Sequence, residues 1–291
     1  IDALAAAGFP AGVVNYLTCP PADAPALVES LIAHPAVRRI NFTGSTPVGR
    51  IIARTCGEHL KPAVLELGGK APLLVLDDAD LEQAAAGAIF GAFANAGQIC
   101  MSTERIIVDA AVAEPFVALL AKRAAALPAS LLGPVVEMRT VARCNALIED
   151  ALAKGARLLA GGMSDSTQMR ATLLDGVTRE MRIWHEESFG PVKSIIRVQD
   201  EAEALAVANE SEYGLSSAIY SRDSARAWNL AQNLQTGICH INGPTVHDEA
   251  QMPFGGCKSS GYGRFGGRAG VAEFTELRWI TLQTLPRELP F

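Results

Sequence analysis

The chain has 291 residues, 49% of them apolar, with 31 acidic and 25 basic side chains and a formal charge of −6. That length holds one large or two ordinary domains around a substantial core. Charges are mixed along the chain without a basic stripe, which argues against nucleic acid as a partner, and no apolar run reaches the length of a bilayer span.

The opening residues Ile1 to Gly8 lack a basic leader and an initiator Met. They read as the middle of a helix rather than a signal peptide, so the chain is expected to begin inside a longer protein. Val13–Leu17 and Arg39–Phe42 read as strands. Pro47–Cys56 reads as a helix capped by Ser45 or Thr46. Ala63–Leu67 and Pro72–Leu76 are apolar runs of strand length, separated by Gly68-Gly69. The acids Asp77, Asp78 and Asp80 then open a helix, with Leu81, Ala85, Ala88 and Ala92 on one face and Gly97 as its stop. Arg105–Val108 resumes a strand. Helices are expected over 111–126, 140–154, 201–210 and 224–234, and strands over 157–159, 192–197, 217–220 and 238–241. Phe274–Gln283 alternates and reads as a final strand. Such alternation of helix and strand indicates an α/β fold with mostly parallel strands.

The six cysteines (Cys19, Cys56, Cys100, Cys144, Cys239 and Cys257) form no CxxC pair. That points away from a zinc site and a disulfide framework, and towards a reducing cytoplasm. One of them stands out. Cys100 follows Gly97-Gln98-Ile99 in a polar turn, the setting of a nucleophilic thiol, for which partial exposure and a lowered pKa are expected. The alternative is a core cysteine. Glu66 ends an apolar run before two glycines, where desolvation raises a carboxyl towards the range of a general base. The alternative is a strand-end acid reaching solvent. A thiol and a base together suggest a covalent intermediate on sulfur that water then hydrolyses.

Three Gly-containing turns accompany this pair. Phe42-Thr43-Gly44-Ser45-Thr46-Pro47-Val48-Gly49 joins strand to helix, where backbone N–H groups can hold a diphosphate, although it is not the GxGxxG fingerprint. Glu186-Glu187-Ser188-Phe189-Gly190-Pro191 offers carboxylates to ribose hydroxyls and a ring to a flat heterocycle. Pro253-Phe254-Gly255-Gly256 follows His247-Asp248-Glu249, whose histidine reads as a pocket wall or a surface group.

In this order the segments Phe42–Thr46, Leu65-Glu66-Leu67-Gly68-Gly69-Lys70, Gly97–Cys100, Glu187–Pro191 and Pro253–Gly256 resemble the aldehyde dehydrogenase superfamily over nearly the whole chain. Each is common alone; all five in sequence are specific. The stretches His240–Gln251, Gly261–Gly267 and Phe274–Ile280 resemble the salicylaldehyde, benzaldehyde and vanillin dehydrogenases of aromatic degradation.

The resemblance implies an aldehyde dehydrogenase-like α/β fold. Residues 1–68 would be the remnant of a Rossmann-like cofactor domain, 69–259 a catalytic domain, and 260–291 a return segment with an oligomerisation strand. It implies Cys100 as nucleophile and Glu66 as the base for the deacylating water. Gly44, Ser45, Leu67, Glu187 and Phe189 would contact NAD, or NADP. Ile99, Met101, His247 and Phe254 would line the substrate tunnel. The implied reaction oxidises a small aromatic aldehyde through a thiohemiacetal and a thioester on Cys100, in a cytoplasmic homodimer or homotetramer with no membrane or metal. Two other readings stay open: a cofactor-independent cysteine esterase, and an inert fragment.

The sequence departs from the family pattern in three places. The strands that would carry an oxyanion Asn and a ribose-binding Lys lie before Ile1. The Leu127–Pro134 loop is short and is followed by Val135 where a polar residue is expected. Cys257 replaces an aliphatic side chain.

Overall fold

A computed structural model describes all 291 residues. The chain divides into two compact units, one of residues 1–41 and 50–63, the other of residues 42–49 and 64–291. In the first, helices run over Asp2–Ala6 and Ala24–Ala33. Lys61 Nζ donates to the carbonyls of Ile32 and, at 2.7 Å, His34, where the second helix ends. A cation at a helix C-terminus satisfies orphan carbonyls and opposes the dipole. Residues 13–17, expected as a strand, pair with nothing, and Val13, Tyr16 and Leu17 are exposed. Apolar residues alone do not make a strand without an edge to join.

The chain's strands are β1 (Ile40–Thr43), β2 (Ala63–Glu66), β3 (Ala71–Val75), β4 (Thr103–Asp109), β5 (Arg157–Ala160), β6 (Thr172–Asp175), β7 (Val192–Val198), β8 (Tyr213–Gly214), β9 (Ser216–Tyr220), β10 (Ile238–Ile241), β11 (Cys257–Lys258) and β12 (Gly261–Tyr262). Seven form the sheet of the second unit in the order β10-β9-β3-β4-β7-β6-β5. Every neighbouring pair is parallel except β5 with β6. This is the expected α/β architecture. The middle strands β3, β4, β7 and β9 are buried almost throughout, as a parallel sheet covered on both faces requires.

Alternate residues feed two cores. Leu73, Ile106, Ile195 and Ala218 join one; Leu74, Ile107, Ile196 and Ile219 join the other. The first face packs helices Leu81–Phe93 and Ala110–Ala125, and the second packs Met138–Ala153, Glu201–Asn209 and Ser224–Ala231. Helix starts follow the capping rules. Asp80 accepts from Gln83 N, Asp109 from Ala111 N, Asp200 from Glu203 N, and Asp223 from the amides of Ala225 and Arg226. Helix Leu81–Phe93 buries Ala84, Ala85, Ala88 and Ala92, small residues that let it lie close against the sheet.

After that helix the chain reverses through Asn95, Ala96 and Gly97, all at positive φ (51°, 56° and 72°). The C-terminus departs from the sequence reading in two ways. Gly267–Glu273 is a helix that no pattern flagged. Residues 274–283 form no ladder, and Leu277, Trp279 and Ile280 point into solvent. The alternation there specifies one apolar edge, and no strand of this chain pairs with it.

Candidate active site

Glu66 stands at the end of β2, and its backbone is held on two sides. Gly44 N donates to its carbonyl at 3.0 Å, and β12 pairs Gly261 opposite it. Leu67 N donates to Ser260 O at 3.1 Å, and Ser260 Oγ donates to Gly68 O at 2.7 Å. The side chain is only 4% exposed, and its Oε1 has no hydrogen-bond partner. Burial raises the carboxyl to about 7, opposed by the neighbouring Cys100 thiol and reinforced by the nearby Glu187. The solvent-facing alternative for Glu66 therefore falls away.

Cys100 is half-buried in the turn after Gly97. Ser102 holds that turn, with N to Ile99 O at 2.8 Å and Oγ to Gly91 O at 2.9 Å. The thiol is pushed up to about 12, first by burial and then by the charge and hydrogen bond of Glu66, while a Met101 N–H works the other way. This corrects the expectation of a lowered thiol pKa. The neighbour is a carboxylate rather than a cation, so the resting sulfur keeps its proton. Nucleophilic attack therefore needs a base, and the Glu66 carboxyl lines the same cavity as the sulfur.

The two glycines after Glu66 permit the assembly. A β-carbon on Gly68 would lie 2.7 Å from Glu187 Oε2, and one on Gly69 would overlap the Cys100 carbonyl oxygen. Gly69 N instead donates to Glu187 Oε1 at 2.8 Å. Burial raises the Glu187 carboxyl to about 7, with the Gly69 N–H opposing. Phe189, two residues on, holds φ of 40° and is partly exposed. A bulky residue in that region is strained, and such strain gathers at functional loops.

A cavity of about 610 Å³ is lined by Gly44, Ser45, Glu66, Leu67, Cys100, Glu187 and Phe189, among others. All the residues expected to touch cofactor thus share one wall with the thiol and the base. Gly44-Ser45 leads into helix Thr46–Glu58, whose N-terminal dipole favours an anion. A buried carboxylate, an unpartnered Glu66 oxygen, a flanking ring and a helix start suit a nucleotide carrying ribose and phosphate, and the volume suits a ligand of that size. The expected substrate residues are more scattered. Met101 is buried and Ile99 half-buried beside Cys100. His247 and Phe254 line a second cavity of about 400 Å³, where the His240 ring meets His247 edge-on at 5.2 Å. Phe254 also lines a third, of about 280 Å³, together with Glu66.

Beneath the site lies a buried ionic cluster that the motifs did not reveal. Glu104 of β4 accepts from Lys70 Nζ at 2.7 Å, Lys193 Nζ at 2.6 Å, Ser188 Oγ at 2.5 Å and Ser188 N at 2.9 Å. Burial alone would raise this carboxyl, but the two ammonium groups bring it to about 2. Lys70 Nζ also donates to Glu186 O at 2.6 Å, and Arg143 Nε to Ser188 O at 3.0 Å. The signal was a lysine in the otherwise apolar strand Val192-Lys193-Ser194-Ile195-Ile196, since a buried Lys requires a partner.

Comparison with known proteins places the whole chain in one family. The aldehyde dehydrogenase family model matches residues 1–280. A vanillin dehydrogenase of Pseudomonas fluorescens is 60% identical, with 98% of this chain and 60% of that protein covered. The crystal structure of a salicylaldehyde dehydrogenase from Pseudomonas putida G7, complexed with salicylaldehyde, superposes with a TM-score of 0.97 at 48% identity, covering all of this chain and 62% of that one. An NADP-dependent glyceraldehyde-3-phosphate dehydrogenase from Bacillus halodurans C-125, complexed with NADP, gives 0.89 at 38% identity, covering 95% and 58%. The chain thus spans about three fifths of the length of the relatives it matches.

Proposed function

The chain belongs to the aldehyde dehydrogenase family, and we propose that it carries the catalytic half-reactions of an NAD(P)-dependent oxidation of a small aromatic aldehyde, of the salicylaldehyde type, to its acid. One observation carries this reading. The Cys100 thiol and the buried Glu66 carboxyl line one cavity, which also presents Glu187 and Phe189.

Glu66 takes the thiol proton as sulfur adds to the carbonyl carbon, giving a thiohemiacetal. Backbone N–H groups beside the sulfur, that of Cys100 among them, stabilise the developing oxyanion. A nicotinamide dinucleotide, when bound against Gly44, Ser45, Leu67, Glu187 and Phe189, supplies the hydride acceptor that brings this carbon to the acyl level. Glu66, once it has released the thiol's proton to solvent, takes a proton from water as the water attacks the thioester, and passes it to the departing sulfur, so that the acid leaves and the thiol is restored. Ile99, Met101, His247 and Phe254 shape the aldehyde's approach. Residues 1–68 belong to the cofactor-binding part, 69–259 to the catalytic part, and 260–291 to the contact between subunits of a homodimer or homotetramer. Free thiols throughout and the lack of any helix able to cross a membrane suit a reducing cytoplasm.

The test is NADH formation, followed by absorbance, with saturating salicylaldehyde and NAD or NADP. Activity above a Cys100→Ser control is expected; none above it removes the assignment. A second reading, cysteine esterase activity, is favoured by one feature. The thiol and its base are complete within this chain and need no cofactor to hydrolyse an activated ester. Nitrophenyl ester turnover unchanged by dinucleotide, without any NADH signal, selects it.

A further inference from the structure

Glu104 ties together three of the segments that build the cavity. It lies four residues after Cys100 on the same run of chain. Its carboxylate grips Lys70, four residues after Glu66, and it takes both the amide and the hydroxyl of Ser188, between Glu187 and Phe189. Lys193, on β7 just past the same loop, closes the set. Lys70, Glu104 and Lys193 are each no more than 2% exposed. We infer that Glu104 is a positioning residue, which with Lys70 and Lys193 fixes the Glu187 loop against the nucleophile turn and sets the charge on Glu187. This assignment rests on the dehydrogenase reading for its purpose.

The argument is first geometric. A carboxylate with four donors at 2.5–2.9 Å has no freedom left, so the three segments move together or not at all. It is then electrostatic. Two ammonium groups and one carboxylate leave this set a net single positive charge, sealed from water beneath Glu187, and the buried Arg105, whose Nε donates to Lys70 O at 3.1 Å, adds a fixed charge beside it that every variant below keeps. The two lysines favour the Glu187 carboxylate, while Glu104 disfavours it. From the cavity side the Glu66 carboxyl and the Cys100 thiol also sense Glu187. Arg143 binds the same loop through the carbonyls of Ser188 and Phe189. The cluster's single positive charge therefore offsets part of the cost of keeping a carboxylate in a dry wall, ready for a hydroxyl-bearing ligand.

Three variants separate this from a merely structural role. Glu104→Gln doubles the buried positive charge, and Lys193→Met removes its net value. The double variant Glu104→Gln with Lys193→Met returns it to one. Two readouts apply: the carbon-13 chemical shift of the Glu187 carboxyl against pH, which needs no cofactor, and the pH midpoint of KM for NAD. Lys193→Met is expected to move both upward by about one pH unit and Glu104→Gln to move both downward, with the double variant near wild type. Opposed shifts cannot come from loss of packing. If Glu104→Gln fails to fold, Lys193→Met and the double variant carry the comparison. Folded variants with the wild-type midpoint, or all shifted one way, overturn the assignment. A normal carboxyl titration series with no NADH formation by any variant sinks the dehydrogenase reading alone.

Discussion

Cys100 and Glu66 hold one proton between them near neutral pH. The carboxyl releases its own proton at about 7, and the thiol at about 12. Thiolate beside neutral acid has the same proton count as thiol beside carboxylate, so above pH 7 the reactive form stops growing. Iodoacetamide labelling of Cys100 should therefore level off between pH 7 and 9. In Glu66→Gln the plateau disappears, and labelling is roughly tenfold faster than wild type at pH 8, one unit past the carboxyl midpoint. Turnover in the same variant should collapse, because no base remains. Equal labelling rates at pH 8 would refute the shared proton. Stability gives an independent check. The folded chain keeps the Glu66 proton to about 7, whereas the unfolded chain releases it near 4.5. Burial of the neutral acid thus helps the fold at low pH, and that help is lost as pH rises from 4.5 through 7. Glu66→Gln is expected to melt close to wild type at pH 5 and a few degrees higher at pH 8.

The turn Gly68-Gly69 is what lets β2 and the Cys100 turn approach. Its sequence is short, but its geometry admits no side chain. Gly69→Ala would drive a methyl into the Cys100 carbonyl and part the sulfur from its base. A loss of at least about 100-fold in turnover is expected, since misplacement by an ångström has that effect. The far-ultraviolet circular dichroism at low temperature should stay unchanged. Full activity in Gly69→Ala would mean that the turn is loose. Elements with local signals were readable in advance: helices opened by Asp80, Asp200 and Asp223, and the apolar strands β3 and β4. Cys100 and Glu66 stood out in the sequence for the same reason, each sitting in a short Gly-flanked turn. What escaped was non-local. Glu104 meets Lys70 across 34 positions and Lys193 across 89, and no window of sequence contains such a set. The thiol's pKa was misjudged because its direction depends on a partner 34 residues away. β6 was missed because four residues carry too little pattern, and the alternation of 274–283 was read as a strand although alternation cannot supply a neighbour.

That last segment matters for the molecule in solution. Leu277, Trp279, Ile280 and Leu282 are each at least three-quarters exposed, in one apolar stretch. Exposed apolar runs of this kind mark contact surfaces. A second copy of the chain is the partner proposed above. Light scattering at micromolar concentration should give a multiple of 30.7 kDa, and Trp279→Asp with Ile280→Asp should bring it to the monomer. A wild-type mass of one chain would remove that partner. Glu66 also has a place in the larger plan, because it forms wall in both the 610 Å³ and the 280 Å³ cavities. A carboxyl in such a partition can exchange protons with either chamber. If Glu66 is the base proposed above, its water has a route of its own, and acyl release need not wait for the nucleotide to vacate its seat.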